Sequence, residues 1–469
     1  MGVTESFIKR CIDIVGSSNV LTNESELKPL SHDEYPGEEL SVIPSAAIRV
    51  GSEEEISSIV KLCAEENVPI TVRGGGTGLS GACVPSPGGV VMLMERLNKV
   101  IDADKENQTI TVEAGMTLRR LYEEVEKMGL FFPPHPGDEG AFVGGVVATN
   151  AGGARAVKYG TVKRFVIGLS VVLSDGSKIE LGGKFIKSST GYNLLDLMIG
   201  SEGTLGIITK VTFTLHPKPG DSKTLVIPFN NLEEAIDSVP HMLQTNIVPA
   251  AVEFVEHSVL KCVEKLLNKK WPAKEGTASL MVILDGRDEE DVMAQAEALS
   301  FILEDKGAID ILLAETKEKQ EEVLQMRSML YEALRPGVAE IFDITVPRSE
   351  IANHVKFVHS LERELGIQLP TYGHAADGNV HTHFMRRYIR EDGSFGEEVQ
   401  NWHELIEKVR LALFEDAKKR GGVISGEHGI GLAKKEYLKK MVDDKKLELM
   451  RAIKKVFDHR GILNPGKVI

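Results

Sequence analysis

Four glycines fall within five residues at Gly74-Gly75-Gly76-Thr77-Gly78, which Arg73 joins to the short strand-like run Val68-Pro69-Ile70-Thr71-Val72. Glycine reaches φ > 0 at no steric cost and leaves its backbone N–H open, so such a loop can wrap an anion. Arg73 adds positive charge. A second glycine-dense stretch runs from Pro136-Gly137 through Gly144, Gly145, Thr149 and Asn150 to Gly152 and Gly153. A third is Gly200-Ser201-Glu202-Gly203-Thr204-Leu205-Gly206-Ile207. A tight structural turn is the competing reading of one such loop alone. Three in one region predict a large flat ligand with a pyrophosphate lying on main chain.

Gly76-Thr77-Gly78-Leu79-Ser80-Gly81 matches the GxGxxG spacing of dinucleotide-binding folds. That fingerprint requires a helix straight after it. Here Ala82-Cys83-Val84-Pro85-Ser86-Pro87-Gly88-Gly89 follows, which is a loop and turn, so a nicotinamide-type Rossmann unit is not expected. The chain's 469 residues suffice for two or three domains, and 42% apolar with 26% charged residues is ordinary for a globular protein. No apolar run approaches the ~20 residues that span a bilayer. A net charge of −14 argues against a nucleic-acid partner. An anionic substrate requires a local Arg or Lys. Cys11, Cys63, Cys83 and Cys262 show no CxxC spacing, so disulfides, cysteine-rich zinc sites and iron–sulfur clusters lack a framework and a cytoplasmic setting is expected. Gly2 to Ser6 loosely fits a myristoylation pattern, but Phe7, Ile8, Cys11, Ile12 and Ile14 read as the face of an amphipathic helix.

Texture divides the chain into residues 1–217, glycine-rich; 218–420, alternating short strands and charged helices; and 421–469, which returns to glycine motifs and then a basic helix over 436–457. In the first zone Ser52 and Glu55 form a capping box before a helix through Ile56, Ile59, Val60 and Cys63. The middle zone predicts strands at 224–228, 250–255, 278–284, 309–313 and 341–346 and near 370 and 381. Its helices are expected at 231–244, 257–268, 288–304, 316–334 and 349–365. The expected class is α+β, with one large antiparallel sheet and helices on one side.

Three histidines crowd into Gly373-His374-Ala375-Ala376-Asp377-Gly378-Asn379-Val380-His381-Thr382-His383. Asp377-Gly378 is a two-residue hairpin signal, and a turn there would set His374 opposite His381 with Cβ atoms about 5 Å apart. His383 falls on the same face. Ser425-Gly426-Glu427-His428-Gly429 places a carboxylate beside an imidazole on a pliable loop. Two imidazoles and a carboxylate suit Zn²⁺, Mn²⁺ or Fe²⁺; a hydrogen-bonded histidine ladder with a loop ion pair is the alternative. Arg327 sits among apolar neighbours in Val323-Leu324-Gln325-Met326-Arg327-Ser328, with Arg348 a weaker second cation. The guanidinium fork suits a small carboxylate, and a surface salt bridge is the competing reading.

The three glycine segments, in this order, resemble the FAD-binding domain of the vanillyl-alcohol oxidase/p-cresol methylhydroxylase flavoproteins. With Gly373–His383 and Gly426–Gly429 the whole chain is similar to the D-2-hydroxyacid dehydrogenases within that superfamily, including D-lactate dehydrogenases and the FAD subunit of glycolate oxidase. The resemblance implies a two-subdomain FAD-binding domain of the p-cresol methylhydroxylase type and an α+β substrate or cap domain. It implies that Arg73, Gly74, Gly75, Gly76, Thr77 and Gly78 cradle the FAD pyrophosphate, with Pro136, Gly137, Gly144, Gly145, Thr149, Asn150, Gly153, Gly206 and Ile207 along the cofactor. Thr77 stands where a covalent-flavin histidine often lies, so FAD is expected to be non-covalent; His135 departs from an Asp common in relatives. The resemblance further implies His374, His381 and Glu427 as ligands of a divalent metal, His428 as base and Arg327 as the substrate-carboxylate residue.

Ile341 occupies the place of a lysine common in the 2-hydroxyglutarate branch, which points to a small anionic 2-hydroxy acid of lactate or glycolate size. The sequence does not name the electron acceptor or the oligomeric state; an iron–sulfur or other electron-transfer protein is the expected acceptor and a homodimer the expected assembly. The resemblance leaves room for peripheral membrane association, but no basic amphipathic anchor is obvious in the sequence. The competing functions are a metal-free FAD oxidase of a sugar or alcohol, and an FAD subunit of a multi-subunit electron-transfer complex.

Overall fold

The computed structural model describes residues 2–37 and 40–469, which fall into two compact units. One unit comprises residues 1–152, 161–218 and 427–469; the other comprises 153–160 and 219–426.

The first unit holds a four-stranded sheet in the order Val20–Leu21, Ala46–Arg49, Val90–Leu93, Ile70–Arg73. Its last three strands are parallel. The helix Glu53–Glu66 links Ala46–Arg49 to Ile70–Arg73. Ser52 Oγ accepts from Glu55 N at 3.1 Å, while the Glu55 carboxylate reaches back to Gly51 N at 2.7 Å, so both ends of the expected capping box are made one residue apart. Ile56, Ile59, Val60 and Cys63 are buried along one helix stripe, and Asn67 ends the helix in the left-handed conformation at φ 55. Among the described residues no helix separates Arg73 from Val90, as the prolines required.

A five-stranded antiparallel sheet follows, ordered Val100–Asp104, Thr109–Glu113, Ile207–Thr214, Val166–Val172, Lys178–Gly182. Phe213 meets Phe132 with centroids 4.7 Å apart, and Phe132 meets Phe165 edge-on at 5.7 Å. The chain's end is tied to the first sheet: Ile70 N donates to Ile462 O and Asn464 N to Ile70 O, each at 2.7 Å. The single basic helix expected over 436–457 is two helices, Lys435–Met441 and Asp444–Phe457. Asp443 breaks it because its carboxylate caps Lys446 N at 2.8 Å.

The second unit is built on a seven-stranded sheet, antiparallel throughout. Its order is Leu312–Ala314, Asp221–Phe229, Ala278–Gly286, Ala251–Glu256, Thr371–His374, Asn379–Met385, Val338–Thr345. The large antiparallel sheet expected from the sequence is thus present. Asn231, Asp288 and Thr316 cap the helices Leu232–Leu243, Glu289–Asp305 and Lys317–Ser328 through their side chains. The helix expected over 316–334 is interrupted at Met329, after which Leu330–Leu334 forms a separate turn. The excursion 153–160 is held by Asp285, which pairs with Lys158 and accepts from Tyr159 OH at 2.5 Å. No helix of the described residues is long and apolar enough to cross a membrane.

His359 joins three of these elements. Its Nδ1 lies 3.0 Å from Glu233 and its Nε2 2.7 Å from Glu256. Burial alone would lower the imidazole pKa, but the two carboxylates outweigh it and raise it to about 9. A raised folded-state pKa stabilises below the unfolded value of about 6.5 and the benefit disappears as pH rises through about 9. The gap in melting temperature between wild type and His359→Gln is therefore expected to be widest near pH 6 and to close toward about pH 10, read by thermal unfolding across that range.

Candidate active site

In the first unit the glycine loop owes its shape to contacts only glycine tolerates. Gly76 has φ +77, and a Cβ there would fall on the Arg73 guanidinium. Arg73 is fixed by donating from Nη1 to His32 O at 2.7 Å. Cβ atoms on Gly74 and Gly75 would press to 3.0 Å against Phe142 Cβ and Gly140 O respectively, which brings this loop against the second glycine stretch. Gly78 packs on the Asp33 carboxylate, a Cβ there lying 3.2 Å from Oδ2. Burial pushes the Asp33 pKa up to about 6.

The second stretch forms the short helix Val143–Thr149, with Gly144 against Ala114 and Gly145 facing open space. Gly137, beside Pro136, also faces open space. Thr149 Oγ1 donates to Gly145 O at 3.1 Å. Asn150 closes the helix at φ 52, and its Oδ1 accepts from Thr161 Oγ1 at 3.0 Å and Lys163 N at 3.1 Å. Gly153 has φ +108 and belongs to the other unit. His135 stacks on Tyr122 at 5.7 Å. In the third stretch Gly206 lies so close to Val171 that a Cβ would approach it to 2.5 Å, and Ile207 opens the following strand.

Glu202, passed over in the sequence as mere glycine context, ties these segments together. Its carboxylate accepts from Ile430 N and Gly431 N at 2.8 Å each, its N donates to Ala148 O at 2.8 Å, and its O accepts from Asn464 Nδ2 at 2.8 Å. Burial raises its pKa against the pull of those two N–H groups. The loop carrying Glu427 and His428 is thereby anchored on both sides, since Ser80 Oγ donates to His428 O at 2.9 Å. Gly152 lies under Glu427, a Cβ there reaching 2.9 Å from Oε2. His428 Nε2 stands 3.9 Å from Glu427 Oε1.

In the second unit the histidine hairpin differs from the sequence expectation. Asp377-Gly378 does not form a two-residue turn: Ala375, Ala376, Asp377 and Gly378 all lie in the connection, so His374 opposes Asn379 and His381 opposes Tyr372. The longer connection is favoured by Asp377 accepting from Asn379 N at 3.2 Å and by Ala375 N pairing with Val252 O on the neighbouring strand. The shift is by two residues, so both histidines keep the same face and meet diagonally, rings edge-on at 5.5 Å.

The register extends this face across four strands. Glu253 opposes His374, Asp343 opposes His381 and Ile341 opposes His383. His374 Nδ1 is 2.5 Å from Glu253 Oε1, and Arg327 Nε donates to Glu253 Oε2 at 2.7 Å. Burial works to raise the Glu253 pKa, yet Arg327 and His374 outweigh it and hold the carboxyl below its usual range. The Arg327 guanidinium also stands 5.1 Å over the Tyr372 ring. Arg348 lies in an exposed turn. His383 is buried with Nδ1 3.3 Å from Pro370 O and its ring stacked on Tyr372 at 4.7 Å.

Asp343 is a hub that the sequence reading does not single out: Oδ1 accepts from Asn379 Nδ2 at 2.8 Å, and Oδ2 accepts from Ser425 Oγ at 2.8 Å and Gly426 N at 3.0 Å. Gly426 is forced, because a Cβ there would strike Asn379 and Thr345. The chain passes from Gly426 straight into Glu427 and the other unit. Glu253 had one legible signal, a lone carboxylate inside Ala250-Ala251-Val252-Glu253-Phe254-Val255.

Residues 44–182 match the family model described as FAD binding domain, and residues 218–468 that of FAD linked oxidases, C-terminal domain. A D-lactate dehydrogenase of Archaeoglobus fulgidus is 42% identical over 91% of this chain and 93% of its own. A D-lactate dehydrogenase of Anaerostipes hadrus is 38% identical over 99% and 98%. Glycolate oxidase subunit GlcD of Bacillus subtilis is 35% identical over 99% and 97%. The fold is that of p-cresol methylhydroxylase, whose substrate-bound crystal structure superposes with a TM-score of 0.78 at 19% identity over 100% of this chain and 98% of that one. The chain belongs to the FAD-linked oxidase family and is an FAD-dependent oxidoreductase.

Gly76→Ala places a side chain in left-handed backbone, a cost of roughly 1–2 kcal/mol, and displaces Arg73. The expected result is a folded protein with markedly less bound FAD, measured as the ratio of flavin to protein absorbance.

Proposed function

We propose that this protein oxidises a small D-2-hydroxy acid, of D-lactate or glycolate size, to the 2-oxo acid. The observation that carries the reading is the buried polar face on which Glu253, His374, His381 and Asp343 stand in register, with Arg327 reaching the same carboxylate. The names of the full-length relatives support the substrate class. Ile341, apolar and on the face of Asp343, supports a substrate without a second carboxylate.

Bound FAD supplies a hydride acceptor, and a divalent cation such as Zn²⁺, Mn²⁺ or Fe²⁺ supplies Lewis-acid polarisation of the substrate hydroxyl. The donor set fits such a cation. His374 Nδ1 is committed to Glu253, which leaves Nε2 as its ligand atom, the arrangement metal-binding histidines generally show. His381 is the second imidazole. Glu427 is the carboxylate, one residue beyond the Gly426 N–H that Asp343 anchors. His428, on a loop steadied by Ser80 and Glu202, takes the hydroxyl proton. Arg327 gives two donors to Glu253 and keeps the rest of its fork for the substrate carboxylate. Arg73 to Gly78 and the segments around Gly137, Gly145, Thr149, Asn150 and Gly206 hold FAD without a covalent bond.

The electrons leave to a separate electron-transfer protein in a reducing, cytoplasmic setting. The four free cysteines, with no cluster framework in the sequence, support that assignment.

Anaerobic titration of the purified flavoprotein with D-lactate, glycolate and D-2-hydroxyglutarate is expected to bleach the flavin with one of the first two, and metal analysis to find about one divalent ion per chain. His428→Ala is expected to bind FAD and lose at least ~100-fold in turnover, the scale of a missing general base. Near wild-type turnover would refute the assignment of the base.

A further inference from the structure

We infer that Glu253 is a positioning residue that fixes His374 and Arg327 relative to each other, so that one buried carboxylate couples metal retention to substrate-carboxylate binding. The inference rests on the function proposed above and deepens it. Glu253 lies in the strand Ala251–Glu256 with no solvent exposure and directly opposes His374. Its two oxygens serve different partners: Oε1 faces His374 Nδ1 at 2.5 Å, and Oε2 receives Arg327 Nε at 2.7 Å and pairs with Nη2.

The first contact makes Nδ1 the protonated nitrogen and so leaves the ring lone pair on Nε2. The second locks the guanidinium plane, which Tyr372 supports from below at 5.1 Å. Only an acceptor-only group with two oxygens can satisfy both at once. Glutamine, equal in shape, offers one oxygen and must present an N–H₂ to the other partner. A simple brace between strand and helix would call for no particular tautomer of the histidine.

The test uses the FAD-loaded full chain, with Mn²⁺ and Zn²⁺ retention read by chelator competition and KM and kcat read with D-lactate. Flavin content and melting temperature report the fold. Glu253→Gln is expected to weaken metal retention at least ~10-fold and raise KM by a comparable factor while flavin content holds. Arg327→Gln is expected to raise KM but leave metal retention within about twofold, and the double variant to raise KM by less than the product of the single effects. Wild-type metal retention or wild-type KM in a folded Glu253→Gln protein overturns the coupling. If Glu253→Gln fails to fold, Glu253→Asp, which keeps the charge but shortens the reach, is judged on the same two readouts. A wild type that holds no metal overturns the proposed metal site and this inference together, whereas a metal-replete wild type with an indifferent variant overturns only the inference.

Discussion

A carboxylate removed from water needs its partners supplied by the protein, because deleting one member of a buried ion pair costs about 3–5 kcal/mol. Glu253 and Asp343 are both without solvent exposure, and each is met on both oxygens. This requirement organises the second unit. It explains why the strands 251–256, 371–374, 379–385 and 338–345 stand in the order they do, since the register delivers a histidine to each acid. It also explains why the segment 423–426 returns to the sheet edge, pairing with Thr345 and closing on Asp343. Acids and histidines clustered on one buried face support the function proposed above.

The first unit solves a different problem. Its loops expose backbone, and they hold their shape through close approaches at glycine and a few buried polar anchors. Glu202 and Asn464 bind segments far apart in sequence: Asn464 reaches Ala82 O at 3.0 Å and Glu202 O at 2.8 Å, and Glu202 holds residues 430 and 431. The stiffness that glycine lacks is thus restored by side chains from the far end of the chain. Pre-set main-chain donors of this kind suit a ligand with phosphates, which the FAD-binding family match specifies.

Much of this was legible in the residues. The cap at Ser52, the apolar stripe of Ile56, Ile59, Val60 and Cys63, and the alternating strands and helices of the middle zone are local signals, and the elements they predict are present. Breaks at Met329 and Asp443 were missed because a single capping carboxylate or a local kink competes with a helical pattern that continues through it. The hairpin register was misread because the Asp-Gly signal is local, while Val252 on a third strand decided how long the connection would be. His374 and His381 drew notice in the sequence by their crowding, and the sheet sets both on one face. Glu202, Glu253 and Asp343 drew none, because a solitary acid carries no signal of its partner when that partner lies far along the chain.

The sequence by itself determined the class of fold, the glycine loops and the residue types proposed for the chemistry, since propensity, capping and spacing act over a few residues. Only the tertiary structure decided which acid meets which histidine and that Arg327 shares a carboxylate with His374. Those pairings depend on strand order and register, which are set by the packing of the whole sheet rather than by any stretch of chain.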